Sequence, residues 1–354
     1  MQVSDVPEHL TTERLVICSD ADAGLRAVIA IDDTTSGPGF GGVRMRSYPT
    51  VGSAIDEAQR LAAAMTVKNT LAGIPYGGAK SVIMTDGDPG DPGDRERLIR
   101  RFGQFVADLG GAYLPGVDMG TSPDDMQLMA EMGADTTCAD EDPSPWTAAG
   151  VFHSIRSAVR HRSGTDSLED VRVLVQGVGH VGASLAAQLA EAGALVDVSD
   201  VDAARAADVA RAVGGAVVDP SGVLDHPCDV YSPCAVARVI TRETLARLRC
   251  TIVAGGANDT LDDDACADDL AAAGILFVPD FVANSGGVRF VHVRRTGGGV
   301  DDIRTAVTAI GDLVTDLLES ASRAGVTPVG AARARAQEIL AQRRGGRART
   351  LAQA

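Results

Sequence analysis

The chain has 354 residues, 48 acidic against 32 basic, for a net charge of −16; it is 45% hydrophobic and 23% charged. This is the composition of a folded globular protein with room for two domains, and its acidity argues against nucleic-acid or anionic-membrane partners, which need basic surfaces. Cys18, Cys138, Cys228, Cys234, Cys250 and Cys266 show no zinc or disulfide spacing, the start lacks a signal-peptide pattern, and no apolar run reaches the ~20 residues of a membrane span, so a reduced, cytoplasmic protein is expected.

Residues 15–19 (LVICS) and 25–31 (LRAVIAI) predict two strands joined as a hairpin across DADAG. Apolar spacing predicts a helix over 51–67, SVIM at 81–84 predicts a strand, and RERLIRRFGQFVADLG predicts an amphipathic helix after a Pro/Gly loop at 86–94. Met126, Met129 and Met132 have helical spacing and read as core. A second unit is expected to open within DEDPSPWTAAG, residues 140–150. TAAGVFHSIRSAVRHR predicts a helix and VRVLVQ, at 171–176, a buried strand. From there LVDVSD, CDVYSP, CTIVAGG and ILFVPD alternate with Ala-rich helical segments, the pattern of a mostly parallel sheet. Residues 301–343 predict helix, with RRGGRARTLAQA expected to fray.

Only two of the 32 basic residues are lysines, Lys68 and Lys80, twelve positions apart in MTVKNTLAGIPYGGAK. Arginine serves everywhere else, and GC-rich codon usage is the bland account. Lysine offers what arginine does not: an ammonium whose pKa burial lowers until it acts as a base. The six histidines show no partner pattern.

VRVLVQGVGHVGASLAAQLAEAGALVDVSDVD contains Gly177-x-Gly179-x-x-Gly182 directly after a predicted strand and opening a predicted helix. The first glycine permits the tight turn, the second lets backbone approach a pyrophosphate, and the third allows close helix–strand packing. Asp200, ending the second strand, stands where a carboxylate binds ribose hydroxyls and repels a 2′-phosphate, which favours NAD over NADP. Arg205 follows in the next helix.

Together with GFGGVR (39–44), MTVKNTLAGIPYGGAK (65–80) and YLPGVDMGT (113–121), the downstream pieces SPWTAAGV, CDVYSPCA, GGAND and NSGGV give the chain its family likeness. In order and spacing, from about residue 10 to 340, they resemble the leucine/phenylalanine/valine branch of the glutamate dehydrogenase superfamily. The resemblance implies an α/β fold of two domains: an N-terminal α/β substrate and oligomerisation domain (1–140 plus about 315–354) and a Rossmann-type NAD-binding domain (141–314), with the active-site cleft between them. It implies oxidative deamination of a hydrophobic L-amino acid to its 2-oxo acid and ammonium, in a homo-oligomer.

Residue by residue, it makes Lys80 the catalytic base and Asp118 its partner in proton transfer and in holding the amino group. Lys68 would bind the α-carboxylate, and Gly41 and Gly42, with Gly77 and Gly78, would let backbone come close to substrate. Asn258, Val288 and Val291 would also face substrate. The implied cofactor contacts are Gly177, Val178, Gly179, His180, Val181, Gly182, Asp200, Arg44, Thr147, Cys234, Ala235, Ala257 and Asn284. Bland rivals exist: Asp118 capping a helix near 122–124, Lys68 stabilising a helix end, His180 as a solvent-facing position, and Cys234 as packing rather than nucleophile.

Phe40 stands where glutamate dehydrogenases place a lysine for the distal carboxylate, so a hydrophobic side-chain pocket is expected. Phe40 should shrink that pocket and Gly116 enlarge it. Leucine or valine is the expected substrate type, with an aromatic amino acid as the alternative, and a silent NAD-binding regulator or a Schiff-base lyase as the other classes. GGAK in place of GGGK, Trp146 between Pro145 and Thr147, and Arg289-Phe290 after NSGGV depart from the branch.

Overall fold

The structure, a computed structural model, describes residues 11–85, 92–138, 141–235 and 237–353. The chain divides into two units, residues 1–142 with 336–354, and residues 143–335.

In the first unit β1 (Arg14–Asp20) and β2 (Leu25–Asp33) form the expected hairpin, with Asp20 facing Leu25. The Asp20 carboxylate accepts the N–H groups of Asp22 and Ala23, and Gly24 supplies the positive φ that turns the chain. β3 (Gly39–Ser47), α1 (Val51–Leu71), β4 (Gly77–Thr85), α2 (Pro92–Ala107), β5 (Tyr113–Val117) and α3 (Pro123–Glu131) follow. Of the expected loop at 86–94, residues 86–91 lie outside the described residues and 92–94 open α2. The sheet order is β1-β2-β4-β3-β5, antiparallel from β1 to β4 and parallel from β4 to β5. β3 and β5 escape a strand reading because GFGGVR and YLPGV are rich in the residues strands avoid. Pairing on both sides of β3 makes them strands.

Side chains alternate across this sheet. Ile29, Ile31, Val43 and Ile83 pack with Ile99 and Phe102 of α2 and Met126 and Met129 of α3, while Met132 is only half-buried. Val28, Ala30, Val82 and Met84 pack with Ala54, Ile55, Ala58 and Ala62 of α1. Lys80 shares the parity of Val82 and Met84, and Arg44 pairs with Val82 in the β3–β4 register, so both belong to the α1 side. A reciprocal Thr50–Ser53 capping box starts α1, an arrangement worth about 1 kcal/mol.

The second unit runs α4 (Ser144–Ser163), β6 (Arg172–Gln176), α5 (His180–Glu191), β7 (Leu195–Ser199), α6 (Ala203–Val213), β8 (Val230–Pro233), α7 (Arg242–Leu245) and β9 (Ile252–Val253). It continues with α8 (Ala265–Ala272), β10 (Leu276–Phe277), α9 (Asp280–Ala283), α10 (Gly286–Arg295), α11 (Val300–Ala324) and α12 (Pro328–Gln353). All five strands are parallel, in the order β10-β9-β8-β6-β7. Chain order reverses at β6, whose two neighbours are β7 and β8. The crevice at the carboxyl ends of β6 and β8 is therefore the switch point where such sheets bind ligands.

The return expected near residue 315 falls inside α11, which stays with the second unit. Ile303, Val307, Ile310 and Val314 are buried along it, and Ser157 of α4 donates to the Gly311 carbonyl at 2.8 Å. Gly325, in the left-handed region, ends α11, and α12 counts with the first unit from residue 336. There Arg344 pairs with Asp33 and Arg343 donates to Ser36. The helix runs on through Gly345 and Gly346, where fraying was expected. Among the described residues no helix is long and apolar enough to cross a membrane, and all six cysteines are free.

Candidate active site

Three parallel strands of the first unit deliver one charged cluster. Lys80 lies on β4, Arg44 on β3, and Asp118 immediately follows β5. The Lys80 ammonium Nζ sits 2.9 Å from Asp118 Oδ2, and Arg44 Nε donates to the same oxygen at 2.8 Å. The far side of the Arg44 guanidinium donates to Glu57 on α1. The result is a chain of alternating charge, Glu57–Arg44–Asp118–Lys80, with Lys80 6% and Arg44 8% exposed.

Gly42 leaves the space in which this cluster forms. A Cβ there would lie 2.7 Å from the Asp118 Cβ and 3.2 Å from Lys80 Nζ. At Gly41 a Cβ would strike the Ala79 carbonyl oxygen at 1.8 Å, at Gly77 the Asp33 carbonyl oxygen at 1.7 Å, and at Gly78 the Thr66 nitrogen at 2.2 Å. The paired glycines serve close packing of β3, β4 and α1 as much as access for a ligand.

Asp118 does not cap the following helix. Ser122 is the N-cap of α3, in a box with Asp125, while Thr121 Oγ1 accepts from the Asp118 N–H at 3.0 Å and donates to the Val43 carbonyl. That turn leaves the Asp118 carboxylate to the two cations. Burial alone raises a carboxyl's pKa, but Lys80 and Arg44 outweigh it and hold Asp118 down to about 2. For Lys80, burial and then the Arg44 charge lower the proton affinity and Asp118 opposes them; the net direction is down. A buried lysine with weakened hold on its proton, beside an ionised carboxylate, is equipped for base chemistry.

Lys68 lies in the last turn of α1, buried at 8% exposure. Its neighbour Asn69, fully buried, donates from Nδ2 to the carbonyls of Phe40 (3.2 Å) and Gly77 (2.7 Å), tying β3 to β4. Tyr113 OH donates to the Gly41 carbonyl at 3.1 Å and lies 2.8 Å from Ser81 Oγ. Sequence reasoning missed Glu57, Asn69 and Tyr113. Asn69 had a visible signal, lying beside Lys68 in the lysine segment, whereas a lone acid within a predicted helix, such as Glu57, carries none.

Phe40 is buried, its ring edge-on to Tyr76 at 5.6 Å. Gly116 does not open the room expected of it. A Cβ at that position would lie 2.5 Å from Thr137 Oγ1 and 3.7 Å from the Phe40 ring, so Thr137 already takes the space. Arg44, expected among the cofactor contacts, has its guanidinium committed to Asp118 and Glu57.

In the second unit the glycine loop has the shape its motif requires. Gly177 adopts φ +88° and a Cβ on it would meet the Ala235 Cβ at 2.3 Å, so the loop after β6 and the Cys234–Ala235 segment after β8 touch at the switch point. At Gly182 a Cβ would lie 1.9 Å from the Gly177 carbonyl oxygen, whereas at Gly179, the N-cap of α5, it would meet nothing within 4 Å. The space beside Gly179 and the N–H groups of the first turn suit a pyrophosphate. Val178 is buried, Val181 half-buried, and His180 exposed.

Asp200 accepts the Val178 N–H (2.8 Å) and the Asp202 N–H (2.9 Å), and Arg205 reaches it at 3.1 Å. Burial works against ionisation, but these donors prevail and lower its pKa. The residues thus fit a dinucleotide: a Gly loop at a helix start and an ionised carboxylate at the end of the next strand.

The remaining candidates of this unit converge on the same end of the sheet. Asn284 Nδ2 donates to the Ala257 carbonyl (3.2 Å) and to Asn258 Oδ1 (3.0 Å), and its own buried Oδ1 has no partner among the described residues. Ala257 N–H donates to the Pro233 carbonyl. Thr147, in the first turn of α4, would stand 2.8 Å from a Cβ on Gly287. The Cys234 thiol packs near Gly256, and burial raises its pKa, which suits packing rather than attack. Trp146 stacks on Phe290 with centroids 6.4 Å apart. Val288 and Val291 lie on α10, half-buried and buried respectively.

Comparison with known proteins gives one consistent result. The family profile of the Glu/Leu/Phe/Val dehydrogenase dimerisation domain matches residues 12–134, and that of Glutamate/Leucine/Phenylalanine/Valine dehydrogenase matches residues 204–293. A leucine dehydrogenase of Thermoactinomyces intermedius is 37% identical over 346 residues, 96% of this chain and 94% of that protein. An L-tryptophan dehydrogenase of Nostoc punctiforme is 33% identical over 344 residues, 96% of each. The crystal structure of L-tryptophan dehydrogenase from Nostoc punctiforme superposes with a TM-score of 0.81 at 33% identity, over 94% of this chain and 97% of that one.

Proposed function

The chain belongs to the Glu/Leu/Phe/Val dehydrogenase family, and from that premise we propose that it oxidatively deaminates a hydrophobic L-amino acid of the leucine or valine type, with NAD. The observation that carries this reading is the buried Lys80–Asp118 contact of 2.9 Å, formed by one of the only two lysines in the chain.

When bound, NAD serves as acceptor of the hydride from the substrate α-carbon. Gly177, Gly179, Gly182 and the start of α5 would hold its pyrophosphate, and Asp200 its adenosine ribose. Lys68 binds the substrate α-carboxylate as a point charge. Loss of hydride from the neutral amine leaves an iminium; neutral Lys80 accepts a proton from the water that adds to its carbon, and returns that proton to the nitrogen as the carbinolamine's C–N bond breaks and its hydroxyl becomes the ketone. Asp118, ionised throughout, holds the substrate nitrogen by charge until it leaves as ammonium. The products are the 2-oxo acid, ammonium and reduced dinucleotide, and the reverse direction uses the same groups.

The aliphatic assignment rests on Phe40 and Thr137. With Phe40 in place of a lysine, a distal carboxylate would not meet a cation at that position, and Thr137 takes the space beside Gly116, which favours a smaller, aliphatic side chain over an indole. The whole of the matched dimerisation-domain profile falls on the first unit, which supports a homo-oligomer assembled through it.

A screen of all proteinogenic L-amino acids with NAD and NADP at alkaline pH, read by absorbance of the reduced dinucleotide, tests the whole reading. Highest kcat/KM with leucine, valine or isoleucine and NAD is expected. No reduction with any hydrophobic amino acid would overturn it, and borohydride trapping of a substrate on Lys80 would point to Schiff-base chemistry instead.

A further inference from the structure

Glu57 contributes nothing to the mechanism just described, yet it is placed at the head of the charged chain that ends on Lys80. It reaches there from α1, the helix that covers this face of the sheet, and its Oε1 accepts from Arg44 Nη1. Arg44 Nε and Lys80 Nζ then compete for a single oxygen, Asp118 Oδ2, at 2.8 and 2.9 Å. An arginine free to turn both arms of its guanidinium onto Asp118 would form the stronger, two-pronged contact and displace the lysine. Glu57 engages the other arm and offsets the charge.

We infer that Glu57 is a positioning residue for Lys80: by holding and neutralising Arg44 it preserves the share of the Asp118 carboxylate that Lys80 needs to keep its proton until the working pH. The inference rests on the functional reading above for its importance, but not for its test. The charged and titratable groups that act on the cluster are Arg44, Arg46 and Tyr48 on and just after β3, Glu57 on α1, and Asp118 and Tyr113 at β5. Of these, Arg46 and Tyr48 face Glu57, and Tyr113 faces Asp118. Removing the Glu57 charge therefore leaves Lys80 beside an uncompensated arginine, and its proton should leave at lower pH.

The scarcity of lysine makes this directly measurable on the full chain. Reductive 13C-methylation labels only Lys68, Lys80 and the α-amino group, and Lys68→Arg identifies the Lys80 signal. In Glu57→Gln the Lys80 resonance should titrate roughly one pH unit below the wild-type midpoint, and Glu57→Asp, which keeps the charge, should stay near wild type. In unlabelled enzyme the acid limb of kcat/KM should shift downward in parallel for Glu57→Gln. A midpoint unchanged or raised in Glu57→Gln overturns the inference. Should Glu57→Gln not fold, a drop of a full unit in Glu57→Asp overturns it too, because the charge would then not be what matters. The titration needs neither substrate nor dinucleotide. An inactive wild type would thus refute the functional reading alone, and an active wild type with an unmoved midpoint would refute the role of Glu57 alone.

Discussion

The hydroxyl of Thr137 occupies the place a side chain at Gly116 would need, 2.5 Å from the position of its Cβ. Thr137 is held by its own N–H on the Pro115 carbonyl at 2.8 Å and is 5% exposed, so it has little freedom to retreat. Gly116→Ala should therefore cost about 1–3 kcal/mol of stability through overpacking. Adding Thr137→Ala should recover part of that loss. Denaturant unfolding of both variants checks it, and a neutral Gly116→Ala would mean the space is open after all.

The two loop glycines of the second unit should behave oppositely. Gly182→Ala puts a Cβ 1.9 Å from the Gly177 carbonyl oxygen, a clash with backbone, whereas Gly179→Ala meets nothing within 4 Å. Gly182→Ala should lower the melting temperature by several degrees. Gly179→Ala should leave melting unchanged and weaken dinucleotide binding at least tenfold, since its methyl enters the space a pyrophosphate would use. Thermal scans and NADH fluorescence titrations separate the two; equal behaviour would contradict the assigned geometry.

Asp200 is engaged by two backbone N–H groups and by Arg205. Asp200→Asn keeps most of the shape and removes the charge that repels a 2′-phosphate. The ratio of kcat/KM for NADP to that for NAD should rise about tenfold or more. Arg205→Ala should move that ratio the other way. A ratio indifferent to both substitutions would locate dinucleotide discrimination elsewhere.

The pH behaviour follows from the two members of the central pair. On the proposed mechanism Lys80 is the neutral base, so kcat/KM should rise with pH until its proton is lost, and Lys80→Arg, which stays charged, should lose at least 10²-fold. Asp118 titrates at about 2 when folded, below the usual carboxylate value near 4. Its ionisation thus adds stability that is present above pH 4 and is lost as pH falls toward 2. In Asp118→Asn the fall in unfolding free energy between pH 4 and 2.5 should be shallower than in wild type; an identical slope would show that the pair does not hold in solution.

Much of the site was legible because its chemistry was concentrated in rare residues and tight motifs. Lys68 and Lys80 stood out against thirty arginines, and Gly177-x-Gly179-x-x-Gly182 carried its own strand and helix. β3 and β5 were not legible as strands: their glycines and proline suppress local propensity, and only pairing, of β3 with β4 and of β5 with β3, defines them. Glu57 was invisible for a different reason. A single acid on an amphipathic helix carries no sequence mark of the arginine it meets, 13 residues away in the chain.

The sequence by itself determined the reaction class, the alternation of strands and helices in the second unit, and which two lysines stand apart as candidates for chemistry, because residue type and local spacing dictate those things. Only the tertiary structure decided that Gly116 offers no added room, that Arg44 shares one Asp118 oxygen with Lys80, and that Ser122 rather than Asp118 caps α3. The physical reason is common to all three. Each depends on which atoms fill a few ångströms of space between segments distant or differently oriented in the chain, and close packing settles that competition only once the sheet and its covering helices are assembled.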